Sequence, residues 1–476
     1  MASTIIRKNG YYINKNLNND ILNIIKNDLT VEPYISFTIN NKKDTNNKII
    51  VYKETEDNII VPKFYGINKF GIPVINEEQD GRLIDINFLG NLRDNQKIIV
   101  ADTIKYLTEH KGGILCLPCA SGKTVIGIFL SCYFKVKTLI IVHKTFLLSQ
   151  WKERLEEFSN AKIGILQQNT IDIENKDIVI GMLQSISKNK YDIDIFKDFG
   201  FVIFDEAHHA PSKHFSTALP IISCKYNLGL SATPWRKDKL EKILFWYFGD
   251  IICKNSTIYN QLVTINIIEY SIEHEKFKEF KLYNGKINCA KTINKLITIG
   301  RRNKLIVEKI TDEILKNNKR KIIVLSDRIK HLELLKNRLN NIHEYITTSF
   351  YIGKMKIKEL KLSEQSQVIF ASYGMASEGL DIPDLNTLFM VTPRKDIEQS
   401  IGRILRKIDI ENPPIIYDFV DMMPFYINQG YHRKKLYKKL NFDINTYTIT
   451  NGVNDTPQEI SIDTPQEIPS NLFINI

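Results

Sequence analysis

The chain has 476 residues, too many for one comfortable hydrophobic core, so two or three domains are expected. Its 65 Lys+Arg against 54 Asp+Glu leave a net charge of +11, which favours a polyanionic partner such as nucleic acid. No apolar run approaches the roughly 20 residues that span a bilayer, and the opening MASTIIRKNG lacks the apolar segment of a secretory signal, so membrane and secreted classes are set aside and cytosol or nucleus is expected.

Residues 1–85 read as a small α+β N-terminal domain: a helical pattern in NNDILNIIKNDL, then short strand-like pieces such as KIIVYKE and NIIVPKFYG among Pro and Gly turns. From about residue 86 to 255 strands alternate with helices. The runs GILCL, TLIIVH, DIVIG, FVIFDE and NLGLSAT are apolar and β-branched, and KTVIGIFLSCYF and TFLLSQWKERLEEF lie between them, the pattern of a parallel sheet buried on both faces. A charged, less regular stretch at 256–298 reads as a linker or insert. A second alternating block at 299–450 (KIIVLS, IKHLELLKNRL, QVIFAS, TLFMVT, DIEQSIGRILR, PIIYDFVD) argues for a second doubly wound α/β domain with a cleft between the two. Residues 451–476, where DTPQEI occurs twice, read as a disordered tail.

Six cysteines include one CxxC, Cys116 and Cys119, but these lead into a loop and the others occur singly. A zinc site would need a second ligand pair, and disulfides are unexpected in a reducing compartment.

LPCASGKT, at 117–124, follows GILCL and ends like a phosphate-binding loop, although Leu117 stands where GxxxxGK[ST] has its first glycine. Such a loop aims backbone N–H groups and a helix N-terminus at phosphates. Gly122 lets the backbone approach the anion, Lys123 reaches the terminal phosphates and Thr124 ligates Mg²⁺. Pro118 with the small residues Cys119, Ala120 and Ser121 makes the same turn if no position there requires positive φ. Hydrolysis of ATP further needs a metal-binding carboxylate and a base; FVIFDEAHH supplies Asp205 for the Mg²⁺ shell and Glu206 to orient and deprotonate water.

With these in place the chain resembles the superfamily 2 helicases. DEAH (205–208) resembles motif II, LRDNQ (92–96) the adenine-reading segment, TLIIVHKTFLLSQWKERL (138–155) motif Ia and SAT (231–233) motif III. IIVLSDR (322–328) resembles motif IV, ASYGMASEGLD (371–381) motif V and QSIGRILR (399–406) motif VI. The resemblance implies two tandem RecA-like domains, with ATP and Mg²⁺ as cofactors. Arg403 and Arg406 become arginine fingers, Gln399 lies by the phosphates or water, and Gly379 and Asp381 lie against ATP. Gln96 and Arg93 contact adenine, while His208, Ser231 and Thr233 couple hydrolysis to movement. Nucleic acid falls to His143, Lys144, Gln184, Ser185, Ser326, Arg328 and Ser372, each of which has an ordinary structural placement as its alternative.

SATPWRKDKLEKILFWYFGDI resembles the SATPxRxDG…FG run of DNA translocases similar to the TFIIH translocase subunit and to transcript-release helicases of large DNA viruses. Lys239 replaces the glycine of that run, so the turn is expected to differ. The resemblance implies an ATP-dependent DNA helicase or translocase, with transcription machinery as a partner and, for a viral protein, host cytoplasm, virus factory or virion as its place. An RNA-stimulated ATPase and an inactive scaffold subunit are the alternatives. The latter is disfavoured because Lys123, Asp205, Glu206, Arg403 and Arg406 are all present. Oligomeric state is open, a monomer being compatible with everything above.

Overall fold

The computed structural model describes residues 4–16, 19–34, 48–118, 121–188, 191–236, 238–254, 262–378, 380, 382, 384–404, 411–451 and 458–461. The chain divides into two compact units, Met1–Ser256 and Thr257–Ile476. Each is taken by itself.

Unit 1 begins with a five-stranded sheet in the spatial order Lys53–Glu54, Asn58–Val61, Gly10–Asn14, Thr4–Arg7, Ile75–Asn76, antiparallel except for its last pair. Its helix Lys63–Phe70 packs on helix Glu241–Phe248, with Tyr65 edge-on to Trp246 at 5.7 Å. Apolar side chains of this sheet form one continuous cluster with Leu139, Val202 and Phe204, so the first 85 residues share a core with the larger sheet of the unit.

That larger sheet has eight strands: β1 (Gly112–Cys116), β2 (Thr138–Val142), β3 (Ile163–Gln167), β4 (Thr170–Ile171), β5 (Ile178–Met182), β6 (Phe201–Asp205), β7 (Tyr226–Ser231) and β8 (Ile251–Lys254). They lie in the order β4-β3-β5-β2-β6-β7-β1-β8, and only the β3–β4 pair is antiparallel. Every residue of β1, β2, β5 and β6 is buried, as continuous apolar runs require in a sheet covered on both faces. Helices α1 (Asp94–His110), α2 (Lys123–Phe134) and α3 (Thr145–Phe158) belong to its covering layers.

Unit 2 repeats the plan with β9 (Thr264–Ile272), β10 (Ile322–Ser326), β11 (Thr348–Tyr351), β12 (Val368–Ser372), β13 (Thr387–Met390), β14 (Ile415–Asp421), β15 (Asp443–Asn451) and β16 (Gln458–Ser461). The order is β11-β12-β10-β13-β14-β9-β15-β16, parallel except for β15–β16. Two expectations are corrected here. Within the stretch expected as a linker or insert, 256–298, Thr264–Ile272 is a strand of the sheet: β9 sits between β14 and β15, where TINIIEYSI satisfies ladders on both edges. Within the expected disordered tail, Gln458–Ser461 pairs with the otherwise open edge of β15; residues 452–457 and 462–476 lie outside the described residues.

Strand β14 shows how unit 2 is fastened. Asp418 and Asp421 are three apart, and the two-residue period of a strand sends them to opposite faces. On one face Arg302 of helix α4 (Gly300–Lys316) grips Asp421 through Nε at 2.7 Å and Nη2 at 2.9 Å, both side chains fully buried. Tyr417, on that same face, donates to Glu313 of α4 at 2.7 Å. On the other face Asp418 accepts from Arg433 and from Tyr437, each at 2.8 Å, and both partners belong to the helix Pro424–Lys439.

Removing one partner of a buried pair leaves an uncompensated charge. Arg302→Ala should destabilise unit 2 by about 3–5 kcal/mol, whereas Arg302→Met with Asp421→Leu should recover most of that loss. Calorimetric unfolding of the full chain checks both, and a single mutant melting like wild type would contradict a fastening role for the pair.

Candidate active site

Parallel strands leave a sheet by the same edge, so the carboxyl ends of β1, β6 and β7 are neighbours. Asp205 pairs in register with Leu230, and Ser231 with Cys116. The N–H of Leu117 donates to the Ser231 carbonyl at 3.0 Å, holding the start of the loop against motif III. Leu117 is fully buried and serves as an apolar anchor for the loop.

The turn closes where Ser121 donates from Oγ to the Pro118 carbonyl at 2.8 Å. Positive φ is required at one described position: Gly122, at φ +82°, is the N-cap of α2. A Cβ there would come within 2.1 Å of Gln96 Nε2, so the residue has two independent reasons to be glycine. Cys119 and Ala120 lie outside the described residues.

Gln96, expected at adenine, is buried beneath this turn. Its Nε2 donates to the Ser121 carbonyl at 3.1 Å and its Oε1 accepts from the Arg93 N–H at 2.9 Å, which also caps α1. Lys123 starts α2, with Nζ 3.3 Å from the Leu117 carbonyl and 3.8 Å from Glu206 Oε1. Thr124 follows in the first helical turn, half-buried.

Asp205 and Glu206 are both buried. Burial, with the Glu206 charge second, pushes the Asp205 carboxyl above the ordinary carboxylate range, while Trp151 and Lys123 oppose the shift. Trp151 of α3 donates from Nε1 to Asp205 Oδ2 at 2.9 Å, and its ring lies against Gly127 of α2. In the sequence Trp151 is only one letter of a motif; its contact joins α2, α3 and β6, and a lone tryptophan on an amphipathic helix gives no sign of that. Glu206 adopts φ +49°, an unfavourable region for a side chain with a Cβ, and sits between Lys123 and His208.

His208 Nδ1 lies 3.1 Å from Ser231 Oγ and 3.4 Å from Glu206 Oε2. Burial holds its pKa below the ordinary imidazole value, favouring the neutral ring, while the Glu206 charge opposes the shift. Arg236 donates to the His208 carbonyl and grips Asp238 with two bonds, Nε–Oδ1 at 2.8 Å and Nη2–Oδ2 at 2.5 Å. Lys239, which stands where the run it resembles has glycine, adopts φ +56°, in the left-handed region that favours glycine. Tyr34 braces this turn by donating its N–H to the Asp238 carbonyl at 2.8 Å.

The residues expected at nucleic acid divide into two groups. His143 and Ser185 are 5% and 7% exposed: the His143 ring lies tilted by 35° against His209 with centroids 4.0 Å apart, and the Ser185 hydroxyl accepts from the Gln168 N–H at 2.9 Å. Ser326 is fully buried, its hydroxyl between His331 Nδ1 at 3.1 Å and the Arg328 N–H at 3.2 Å. The two hydroxyls thus serve amides at loop starts, as buried backbone requires, and all three side chains are withdrawn from the surface. Lys144, Gln184, Arg328 and Ser372 are half-buried. Arg328 is held by Asn294 Oδ1 at 2.8 Å and by the Asp327 carbonyl at 3.0 Å. Arg394, which carried no motif signal, ion-pairs with Asp327 at 3.1 Å and covers the Tyr373 ring at 4.9 Å. Thr233 is half-buried beside Ser231.

Gln399 and Arg403 lie on helix Glu398–Ile404, but their side chains, with Gly379, Asp381 and Arg406, are outside the described residues. Among the described residues, no helix is long and apolar enough to cross a membrane.

A strand–loop–helix bearing Lys123, beside a buried Asp-Glu pair at the same sheet edge, followed by a second parallel α/β unit, is the arrangement of a tandem RecA-like ATPase. Residues 89–236 match the family described as the type III restriction enzyme res subunit, and residues 305–408 match the helicase conserved C-terminal domain. The chain belongs to the superfamily 2 helicases and is an ATP-dependent helicase. Enzymes of this kind use ATP with Mg²⁺ and bind nucleic acid. It is 38% identical over 462 residues, 94% of this chain and 88% of the relative, to a protein of Acanthamoeba polyphaga mimivirus provisionally named an ATP-dependent RNA helicase. It is 26% identical over 358 residues, 67% of this chain and 80% of the relative, to a DNA 3'-5' translocase of Sulfurisphaera tokodaii. A fragment structure assigned to the HsdR subunit of a type I restriction enzyme from Vibrio vulnificus shares the fold at 15% identity, with a TM-score of 0.53, over 76% of this chain and 70% of that one.

Gly122→Ala should therefore abolish most nucleotide binding, measured with a fluorescent ATP analogue, while leaving the melting temperature within a few degrees. Adding Gln96→Ala removes the clash but not the positive φ, and full recovery in that double variant would show that φ is unimportant.

Proposed function

We propose that the chain is a DNA-directed motor of this superfamily, acting as a translocase or helicase in transcription or transcript release in a large DNA virus. The observation that carries the motor reading is the meeting of Lys123, Asp205, Glu206, His208 and Ser231 at one sheet edge. The residues fit a magnesium nucleotide. The loop ends in a left-handed glycine at a helix N-terminus, and each Asp205 oxygen, though hydrogen-bonded once, retains acceptor capacity. Mg²⁺, held by Thr124 and Asp205, would neutralise charge building on the phosphate oxygens.

In this reading Lys123 holds the terminal phosphates. Glu206 orients water and takes its proton as the water oxygen bonds to the γ-phosphorus and ADP leaves. His208 and Ser231, joined by a hydrogen bond, pass the state of Glu206 to motif III and Thr233. Gln399, Arg403 and Arg406 act on the phosphoryl group, and Gly379 and Asp381 lie against ATP. Lys144, Gln184, Arg328 and Ser372 hold the nucleic-acid backbone, so that movement is independent of sequence.

DNA is favoured by the likeness of SATPWRKDK to the translocase run, with Lys239 left-handed where that run has glycine, and by the translocase name of the Sulfurisphaera relative. An RNA substrate is the second reading, favoured by the name of the mimivirus relative.

ATP turnover measured with single-stranded DNA, duplex DNA and RNA separates the two: stimulation greatest with DNA is expected, and greater stimulation by RNA overturns the DNA assignment. Lys123→Ala should lower stimulated turnover by about 10²-fold or more and Glu206→Gln by about 10²–10⁴-fold, with the fold intact by circular dichroism. Arg406→Ala should leave ATP affinity nearly unchanged and slow hydrolysis by about 10³-fold or more; an unaltered rate removes it from the mechanism.

A further inference from the structure

Between β9 and the helix Cys289–Leu296 the chain makes a small hairpin that the motifs do not explain. The Asn288 N–H donates to the Phe280 carbonyl at 2.7 Å, and the Leu282 N–H to the Lys286 carbonyl at 2.7 Å. The Gly285 N–H returns to the Leu282 carbonyl at 2.9 Å, closing a β-turn with Tyr283 and Asn284 at its centre. Gly285 follows at φ +76°, the left-handed residue that lets a three-residue hairpin loop resume its ladder. The Asn284 side chain accepts from the Lys286 N–H at 3.1 Å. The turn is therefore hydrogen-bonded within itself.

At its tip Tyr283 is fully exposed, beside the exposed Leu282. The cations around it are also exposed: Lys278, Lys281, Lys286, Lys291 and Lys295. Lys291 and Lys295 lie over the Phe280 ring at 4.5 and 5.4 Å, stiffening the base of the hairpin. The acidic residue among them, Glu279, is turned back to accept the Phe425 N–H at 2.7 Å, so its charge is drawn into the start of a helix. The base is tied to motif IV: Phe280 N–H donates to Thr292 at 2.9 Å, and Arg328 donates to Asn294 on the same helix at 2.8 Å.

We propose that the hairpin Phe280–Asn288 is a contact for single-stranded nucleic acid, with Tyr283 as a stacking platform for an unpaired base and Lys281 and Lys286 on the flanking phosphates. An exposed ring held at a rigid tip loses little freedom on stacking, and cations at both sides of it match a backbone carrying one charge per nucleotide. Every base has a π face, so the contact is indifferent to sequence, as a motor requires. The inference rests on the nucleic-acid motor reading above, and extends it to a segment outside the family motifs.

The test uses the full chain with fluorescein-labelled single strands of about 20 nucleotides, one DNA and one RNA, followed by anisotropy. Tyr283→Ala should weaken binding roughly tenfold, and Tyr283→Trp should bind within about twofold of wild type. Lys281→Ala with Lys286→Ala should weaken binding and reduce the slope of log affinity against log salt by about 1.4. Turnover without nucleic acid should be unchanged in all three, which establishes that they fold. Wild-type affinity in Tyr283→Ala for both strands overturns the proposal. If wild type binds the strands but its turnover is not stimulated, the motor reading falls while the affinities of the variants still judge the hairpin.

Discussion

In a parallel sheet the loops that follow the strands are gathered on one edge, and in unit 1 the register decides which of them touch. Pairing of Asp205 with Leu230 and of Ser231 with Cys116 sets the phosphate-type loop, the acidic pair and motif III side by side. Had β6 slipped by one residue, its alternation would carry Asp205 to the opposite face and away from Trp151. The single Leu117 to Ser231 backbone bond then fixes the loop's departure, and the buried Leu117 side chain takes the place of the missing first glycine. That glycine is dispensable because the conformation only glycine adopts easily falls at Gly122.

The central strands of both sheets were legible because burial on both faces demands unbroken apolar runs: GILCL, TLIIVH and KIIVLS read as strands, and strands they are. Strand β9 was not, since the charged hairpin after it dilutes the apolar signal and TINIIEYSI reads as part of an irregular stretch. Its role shows only through pairing with β14 and β15, which are far away in sequence. Short edge strands such as β11, with the polar sequence TSFY, carry too little pattern to identify.

The site was legible as a set of residue types and less so as a set of contacts. Lys123, Asp205, Glu206, His208 and Ser231 come together from motif order alone. Trp151 and Arg394 do not announce themselves, because each acts through a neighbour: Trp151 by donating to Asp205, Arg394 by pairing with Asp327. His143, Ser185 and Ser326 carry the polar chemistry a phosphate would want, yet they are buried. A hydroxyl at a strand end serves the loop amide beside it as readily as a ligand, and sequence does not distinguish the two.

The electrostatics of the acidic pair follow from the same packing. Two carboxylates on consecutive residues repel, and burial removes the water that would screen them, so the Asp205 carboxyl is pushed up. Lys123, at 3.8 Å from Glu206, supplies a compensating charge, and burial disfavours a second one on His208. Among the described residues, this sheet edge thus sets Asp205 and Glu206 against Lys123. In the reading proposed above, a polyphosphate alone would add repulsion, and a divalent cation arriving with it would offset the excess at Asp205. In that reading Glu206, next to His208, is the carboxylate left for water.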